Sequence, residues 1–144
     1  MKPENELTME FTGRSCNEAF ARAAVGAFVS ELDPTLEELS DIKTAVSEAV
    51  TNCIVHAYPQ GPGKIFLRCG LYEDRTLELE IRDQGVGIPD VRAAREPMFT
   101  TGGAERSGMG FTIMEKFMSS LQVTSQPGAG TTVTMTRKLG AGGR

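Results

Sequence analysis

Between Lys64 and Asp83 the chain alternates twice. Ile65, Leu67, Cys69 and Leu71 fall on one face of a first run, and Leu77, Leu79 and Ile81 on one face of a second. Glu78, Glu80 and Arg82 take the opposite face. The short connection Glu73-Asp74-Arg75 joins the runs, so they predict an antiparallel hairpin. In-out alternation, unlike a solid apolar run, belongs to a sheet with one packed face and one wet face. Helices then cover a single face. The fold class is α+β: a two-layer sandwich, with a mixed, mainly antiparallel sheet under helices.

The remaining segments supply that cover and the outer strands. Leu7 to Thr12 alternates as a strand, and Ser15-x-x-Glu18 reads as a capping box opening a helix that continues to about Leu32. Asp33 as cap, Pro34 at the first helical position and Glu37 and Glu38 near the positive end open a second helix. Its buried stripe is Leu39, Ile42, Val46, Ala49, Val50, Cys53 and Ile54, and it runs to about Tyr58, where Pro59-Gln60-Gly61-Pro62-Gly63 stops it. Phe111, Ile113, Met114, Phe117 and Met118 mark a shorter helix. Leu121–Ser125 and Thr131–Leu139, joined by Gln126-Pro127-Gly128-Ala129-Gly130, read as the last two strands. No internal repeat appears, and residues 1–144 form one domain whose end, Gly140–Arg144, reads as a frayed tail.

Composition narrows the function. At 144 residues and 40% hydrophobic, the chain has enough for one sizeable core. No apolar run is long enough to span a membrane, and the N-terminus lacks signal-peptide character, so a soluble, cytoplasmic protein is expected. A net charge of −4 speaks against nucleic acid as the main ligand. Three cysteines without a C-x-x-C, and one histidine, speak against a disulfide framework or a zinc site; buried free thiols are expected. An acidic chain that binds a polyanion needs backbone amides or a metal to do it.

Both are on offer. Glu48 and Asn52 stand one helical turn apart at the border of the buried stripe, as a pocket wall would, though a solvated helix face carries such pairs too. Asp83-Gln84-Gly85-Val86-Gly87 follows a strand directly. An Asp anchored there can accept a hydrogen bond from an exocyclic amine, while Gly85 and Gly87 permit positive φ and the approach of a flat group; a tight turn that needs glycines is the other reading. Arg106-Ser107-Gly108-Met109-Gly110 leads into a helix, where successive N–H groups cradle an anion, or where glycines serve packing alone. Between the two glycine sites, about 92–107, a long loop centred on Thr100-Thr101-Gly102-Gly103 reads as a lid.

Together the helical Glu-x-x-x-Asn, the strand-end Asp-x-Gly-x-Gly and the helix-start Gly-x-Gly resemble the superfamily of ATPases and kinases that includes type II topoisomerases and sensor histidine kinases (the GHKL or Bergerat fold). Within it, SEAVTN-IVHAY, RDQGVGIPD, PMFTT and ERSGMGFTIME resemble the anti-sigma factor serine kinases of Gram-positive spore formers, from Phe11 to about Thr134. The resemblance implies ATP or ADP with Mg²⁺ as ligands. It makes Asn52 the magnesium ligand, Glu48 the acceptor of the proton from an attacking hydroxyl, and Asp83 the partner of the adenine amine. Gly87 would lie beside the ring, Gly85 would belong to the same binding loop, and Thr131 would assist through its hydroxyl. Gly108, Met109 and Gly110 would wrap the phosphates, with Thr100, Thr101 and Ser107 contributing from the lid and Arg106 reaching phosphate or a partner. His56 is expected in a structural role or just behind the groups that touch the ligand, rather than as a phosphate acceptor.

The implied function is that of an anti-sigma factor and serine protein kinase. It would hold a sporulation sigma factor of the sigma-F type while ATP is bound, and phosphorylate a serine of an anti-anti-sigma protein. A homodimer is implied, with no direct contact to nucleic acid or membrane. The alternative is the ATP-binding domain of a histidine kinase, or a nucleotide-gated binding protein without transfer. The first strand follows so soon after Met1 that no room is expected for a histidine-bearing helix pair, and Glu48 argues against a domain that only binds. One departure stands in the lid: Gly102-Gly103 occupies the place where relatives often carry Lys and Pro.

Overall fold

The central hairpin forms as its alternation dictates. A computed structural model describes residues 2–95 and 110–140. In it β2 (Lys64–Leu71) and β3 (Thr76–Asp83) pair antiparallel, with Leu67 opposite Ile81 and Cys69 opposite Leu79. β1 (Asn5–Thr12) flanks β2; β5 (Gly130–Lys138) flanks β3; β4 (Ser120–Gln126) lies outside β5. The order is β1-β2-β3-β5-β4, and every pairing among the described residues is antiparallel. The sheet expected to be mixed and mainly antiparallel thus has no parallel pair there.

The inward face carries Ile65, Leu67, Cys69, Leu71, Leu77, Leu79 and Ile81, all buried. On the outer face Arg68 reaches Glu6, Glu78 and Glu80 at 3.2, 2.5 and 3.4 Å, tying three strands together. The expected division of each strand into an apolar and a polar face holds.

Over the inward face lie α1 (Ser15–Val29), α2 (Leu36–Asn52) and α4 (Gly110–Phe117), whose buried residues join the strands in one core. Two helix starts differ from expectation. Ser15 opens α1 without a side-chain cap. Glu18, the expected second half of its capping box, instead accepts from Ser47 Oγ on α2 at 2.6 Å. A part-buried bond between helices thus takes the carboxylate that a local cap would use. At α2 the cap is Thr35 rather than Asp33. Thr35 and Glu38 form a reciprocal box, at 3.0 and 2.9 Å, while Asp33 closes a preceding turn at φ 53°.

The far ends of the helices are also held. Arg137 Nη1 on β5 donates to Asp41 Oδ2 of α2 at 2.9 Å and to the Phe117 carbonyl at 2.5 Å, closing the C-terminal end of α4. Gly140, expected to begin a frayed tail, is fastened: its N–H donates to Glu38 Oε2 at 2.9 Å, and Arg75 Nε donates to its carbonyl. Residues 141–144 lie outside the described residues.

Two of the three cysteines are buried as expected. Cys16, in the first turn of α1, is exposed, contrary to expectation. Burial pushes the Cys69 thiol up to about 12, and raises that of Cys53 well above its ordinary value, with the charge of Asp83 adding to the effect. A thiol reagent at mildly alkaline pH should therefore modify native protein promptly at Cys16 alone, and all three positions after unfolding in urea. Prompt native modification at Cys53 or Cys69, read by peptide mass, would contradict this packing.

Candidate functional site

At one end of the sheet the inward rows change character. Ile81, Val133 and Val123 form an apolar row across β3, β5 and β4; the next row in the same phase is Asp83, Thr131 and Ser125. Asp83 is 5% exposed, so its carboxylate is committed to an inward position. There its Oδ1 accepts from the N–H of Gly85 at 2.9 Å and of Thr131 at 3.2 Å. Two backbone donors satisfy a group that would otherwise be costly to bury. Cys53, 4% exposed on the helix layer, lines the same cavity as this carboxylate, whose charge adds to burial in raising the thiol.

The loop after Asp83 is fastened to the end of α2. That helix was expected to continue regularly to about Tyr58; from Cys53 to Ala57 it widens into one π turn. Such turns often stand at functional sites. Here the turn brings the Ala57 carbonyl to the N–H of Val86, at 2.9 Å. Tyr58 follows, its hydroxyl donating to the Lys64 carbonyl at 2.6 Å and accepting from the N–H of Gln84 at 2.8 Å. Burial raises the phenol above its ordinary value; the Gln84 contact opposes that shift and the Asp83 charge adds to it.

The two loop glycines have separate reasons. A Cβ on Gly85 would lie 2.1 Å from the Ala57 carbonyl oxygen, so close approach of the π turn demands glycine there. Its φ is not positive, contrary to expectation. Gly87 does have positive φ, at 80°, and packs on the Gln126 carbonyl.

Beside this row lies a cavity of about 630 Å³. Asp83, Thr131, Cys53, His56 and Gly87 line it, as do Asn52 and Gly110. Val86, Ile88, Pro89, Phe111 and Val133 give it apolar walls. Ala93 and Ala94 complete one side from α3 (Val91–Arg95), a short helix where a loop was expected, with Asp90 accepting from the N–H of Ala93 at 3.1 Å. Gly110, at the start of α4, sits against α2: a Cβ there would lie 3.3 Å from both Glu48 Oε1 and Asn52 Oδ1. The expected helical pair and the described part of the glycine-rich helix start therefore meet. Glu48 and Gly85 border the cavity through Gly110 and Asp83 rather than lining it.

Thr100, Thr101, Arg106, Ser107, Gly108 and Met109 lie outside the described residues, as do most of the expected lid and Gly102-Gly103. Sequence reasoning missed Cys53, Tyr58 and Ser125 as parts of the site. For Ser125 a signal existed: on β3, β5 and β4 alike, the inward phase ends in a polar residue. Among the described residues no three His, Cys, Asp or Glu side chains cluster as a metal cage. Nor is any helix there long and apolar enough to cross a membrane.

Comparison with known proteins agrees with this geometry. Residues 14–137 match the family model of the histidine kinase-like ATPase domain. An anti-sigma F factor of Bacillus licheniformis is 53% identical over 138 residues, covering 94% of each chain. One of Caldanaerobacter subterraneus subsp. tengcongensis is 51% identical, covering 97% of this chain and 98% of its own. In structure, the RsbU and RsbW domains of a Mycobacterium tuberculosis protein superpose with a TM-score of 0.70 at 21% identity, over 95% of this chain and 33% of that one. A mycobacterial sensor histidine kinase superposes with a TM-score of 0.56 at 21% identity, over 92% of this chain and all of that one. Those two likenesses show a shared fold, whereas the sequence relatives show the closer kinship. An inward Asp anchored at the sheet's end, lining one cavity with Asn52, is thus part of a chain that belongs to the histidine kinase-like ATPase family and, within it, to the anti-sigma F factors.

Proposed function

We propose that the cavity takes ATP or ADP with magnesium, and that the chain phosphorylates a serine of an anti-anti-sigma protein. With ATP bound it holds a sigma factor of the sigma-F type, working as a cytoplasmic homodimer. The observation that carries this reading is the placement of Asp83. It is a buried, hydrogen-bonded acceptor at one side of a cavity of about 630 Å³ that also meets Asn52 and Gly110. A purine stacked between the apolar walls presents its exocyclic amine to Asp83, and the phosphates extend toward the start of α4.

Asn52 fits magnesium as a single neutral oxygen ligand. The described residues hold no cage of their own, which suits an ion that arrives on phosphates and keeps its waters. Bound there, magnesium supplies charge neutralisation on the phosphate oxygens. Glu48 accepts the proton as the serine oxygen bonds to the γ-phosphorus; the bond from that phosphorus to the bridging oxygen breaks, and ADP leaves. Gly108, Met109 and Gly110 offer backbone N–H groups to the phosphates. Thr100, Thr101 and Ser107 add hydroxyl groups from the lid, and Arg106 meets phosphate or partner.

Incubating the chain with magnesium, ATP and the anti-anti-sigma protein should add one phosphoryl mass to a serine of that partner. Glu48→Gln should bind ADP nearly as wild type does while transfer falls roughly 10²- to 10⁴-fold. Asn52→Ala should weaken ATP binding only when magnesium is present. Equal transfer by wild type and Glu48→Gln would reject the assigned base.

A further inference from the structure

We propose that Ser125 is a specificity-determining residue: it turns the Thr131 hydroxyl proton away from the cavity, so that the site accepts an amino-purine and refuses a keto-purine. The inference rests on the nucleotide reading above and deepens it.

It follows from counting protons. Ser125 Oγ accepts from the N–H of Ile88 at 2.7 Å, lies 3.0 Å from the Gly130 carbonyl oxygen and 2.8 Å from Thr131 Oγ1. A hydroxyl has one proton and two lone pairs. The Gly130 carbonyl can only accept, so the Ser125 proton goes there. One lone pair takes the Ile88 N–H, and the other takes the Thr131 proton. Every group in the cluster is then satisfied. If Ser125 donated to Thr131 instead, it would leave a lone pair idle and take its proton from the Gly130 carbonyl, a costlier arrangement in a part-buried place.

Thr131 is 8% exposed and lines the cavity beside Asp83. With its proton committed to Ser125, it shows the cavity only lone pairs. Asp83, whose Oδ1 already takes the Thr131 N–H, is likewise an acceptor. Two neighbouring acceptors suit a group with protons to give, such as an exocyclic amine, and repel a keto oxygen. A threonine hydroxyl without such a neighbour would rotate and donate to that keto oxygen. Ser125 removes the option. Because Ser125 also holds Ile88, a wall of the cavity, a purely structural role would weaken both kinds of base alike; the ratio between them separates the two roles.

ADP and IDP differ at this position by an amine against a keto oxygen. Calorimetry with magnesium should show that wild type prefers ADP by about tenfold or more. Ser125→Ala should narrow that preference roughly three- to tenfold, the span of one neutral hydrogen bond, chiefly through tighter IDP binding. Ser125→Thr should restore it. An unchanged ratio in Ser125→Ala, or a wild type that binds ADP and IDP equally, would overturn the inference and leave the nucleotide reading intact. A folded wild type that binds no ADP would overturn both. If Ser125→Ala does not fold, Ser125→Cys replaces it: its sulfur is a poor acceptor for the Thr131 proton, so the same narrowing is expected, and an unchanged ratio is equally fatal.

Discussion

A buried carboxylate that two backbone N–H groups satisfy is the constraint on which this site depends. Asp83 stands in the phase of Leu77, Leu79 and Ile81, and so points into the helix layer. An acid at such a position is tolerated only where donors meet it. Gly85 brings one by turning sharply beneath the π turn, and Thr131 brings the other from the neighbouring strand. The pairing of β3 with β5 therefore does two jobs at its last step, joining two strands of the sheet and fixing an acceptor at the edge of a cavity.

The same logic extends through α2. One helix carries Glu48 and Asn52, widens at Cys53, and then clamps the loop after Asp83 through Ala57 and Tyr58. The side that would hold a base and the side that would hold phosphates are thus parts of one continuous element. Gly110 packs against Glu48 and Asn52 from α4, whose other end Arg137 ties back to Asp41 on α2. A displacement of α2 would reach both ends of the cavity together.

Much of this was legible in residue order. The alternation of Lys64–Leu71 and Thr76–Asp83 foretold the hairpin and the single covered face, and the stripe on α2 foretold its buried side. Less legible was anything that depends on competition between partners. Ser15 and Glu18 have the spacing of a capping box, but spacing says nothing of Ser47 on another helix, which takes the carboxylate. Asp33 and Thr35 are both good caps; the choice fell to Thr35 because Glu38 answers it. The π turn has no signature in the apolar pattern, since its cause lies in the contact of Ala57 with a loop some thirty residues onward. Ser125 was legible in principle, as the polar end of an inward phase, yet only strand register places it beside Thr131.

The most direct measurement is the affinity of Asp83→Asn for ADP with magnesium, set beside that of wild type in the same calorimeter, once unfolding curves show that the variant keeps its fold. The amide preserves the shape but removes the charge from the acceptor. A hydrogen bond to a charged group is worth about 1.5–3 kcal/mol, so ADP should bind at least tenfold more weakly. A folded Asp83→Asn that binds ADP as tightly as wild type would contradict the assignment of this carboxylate as the group that recognises the base.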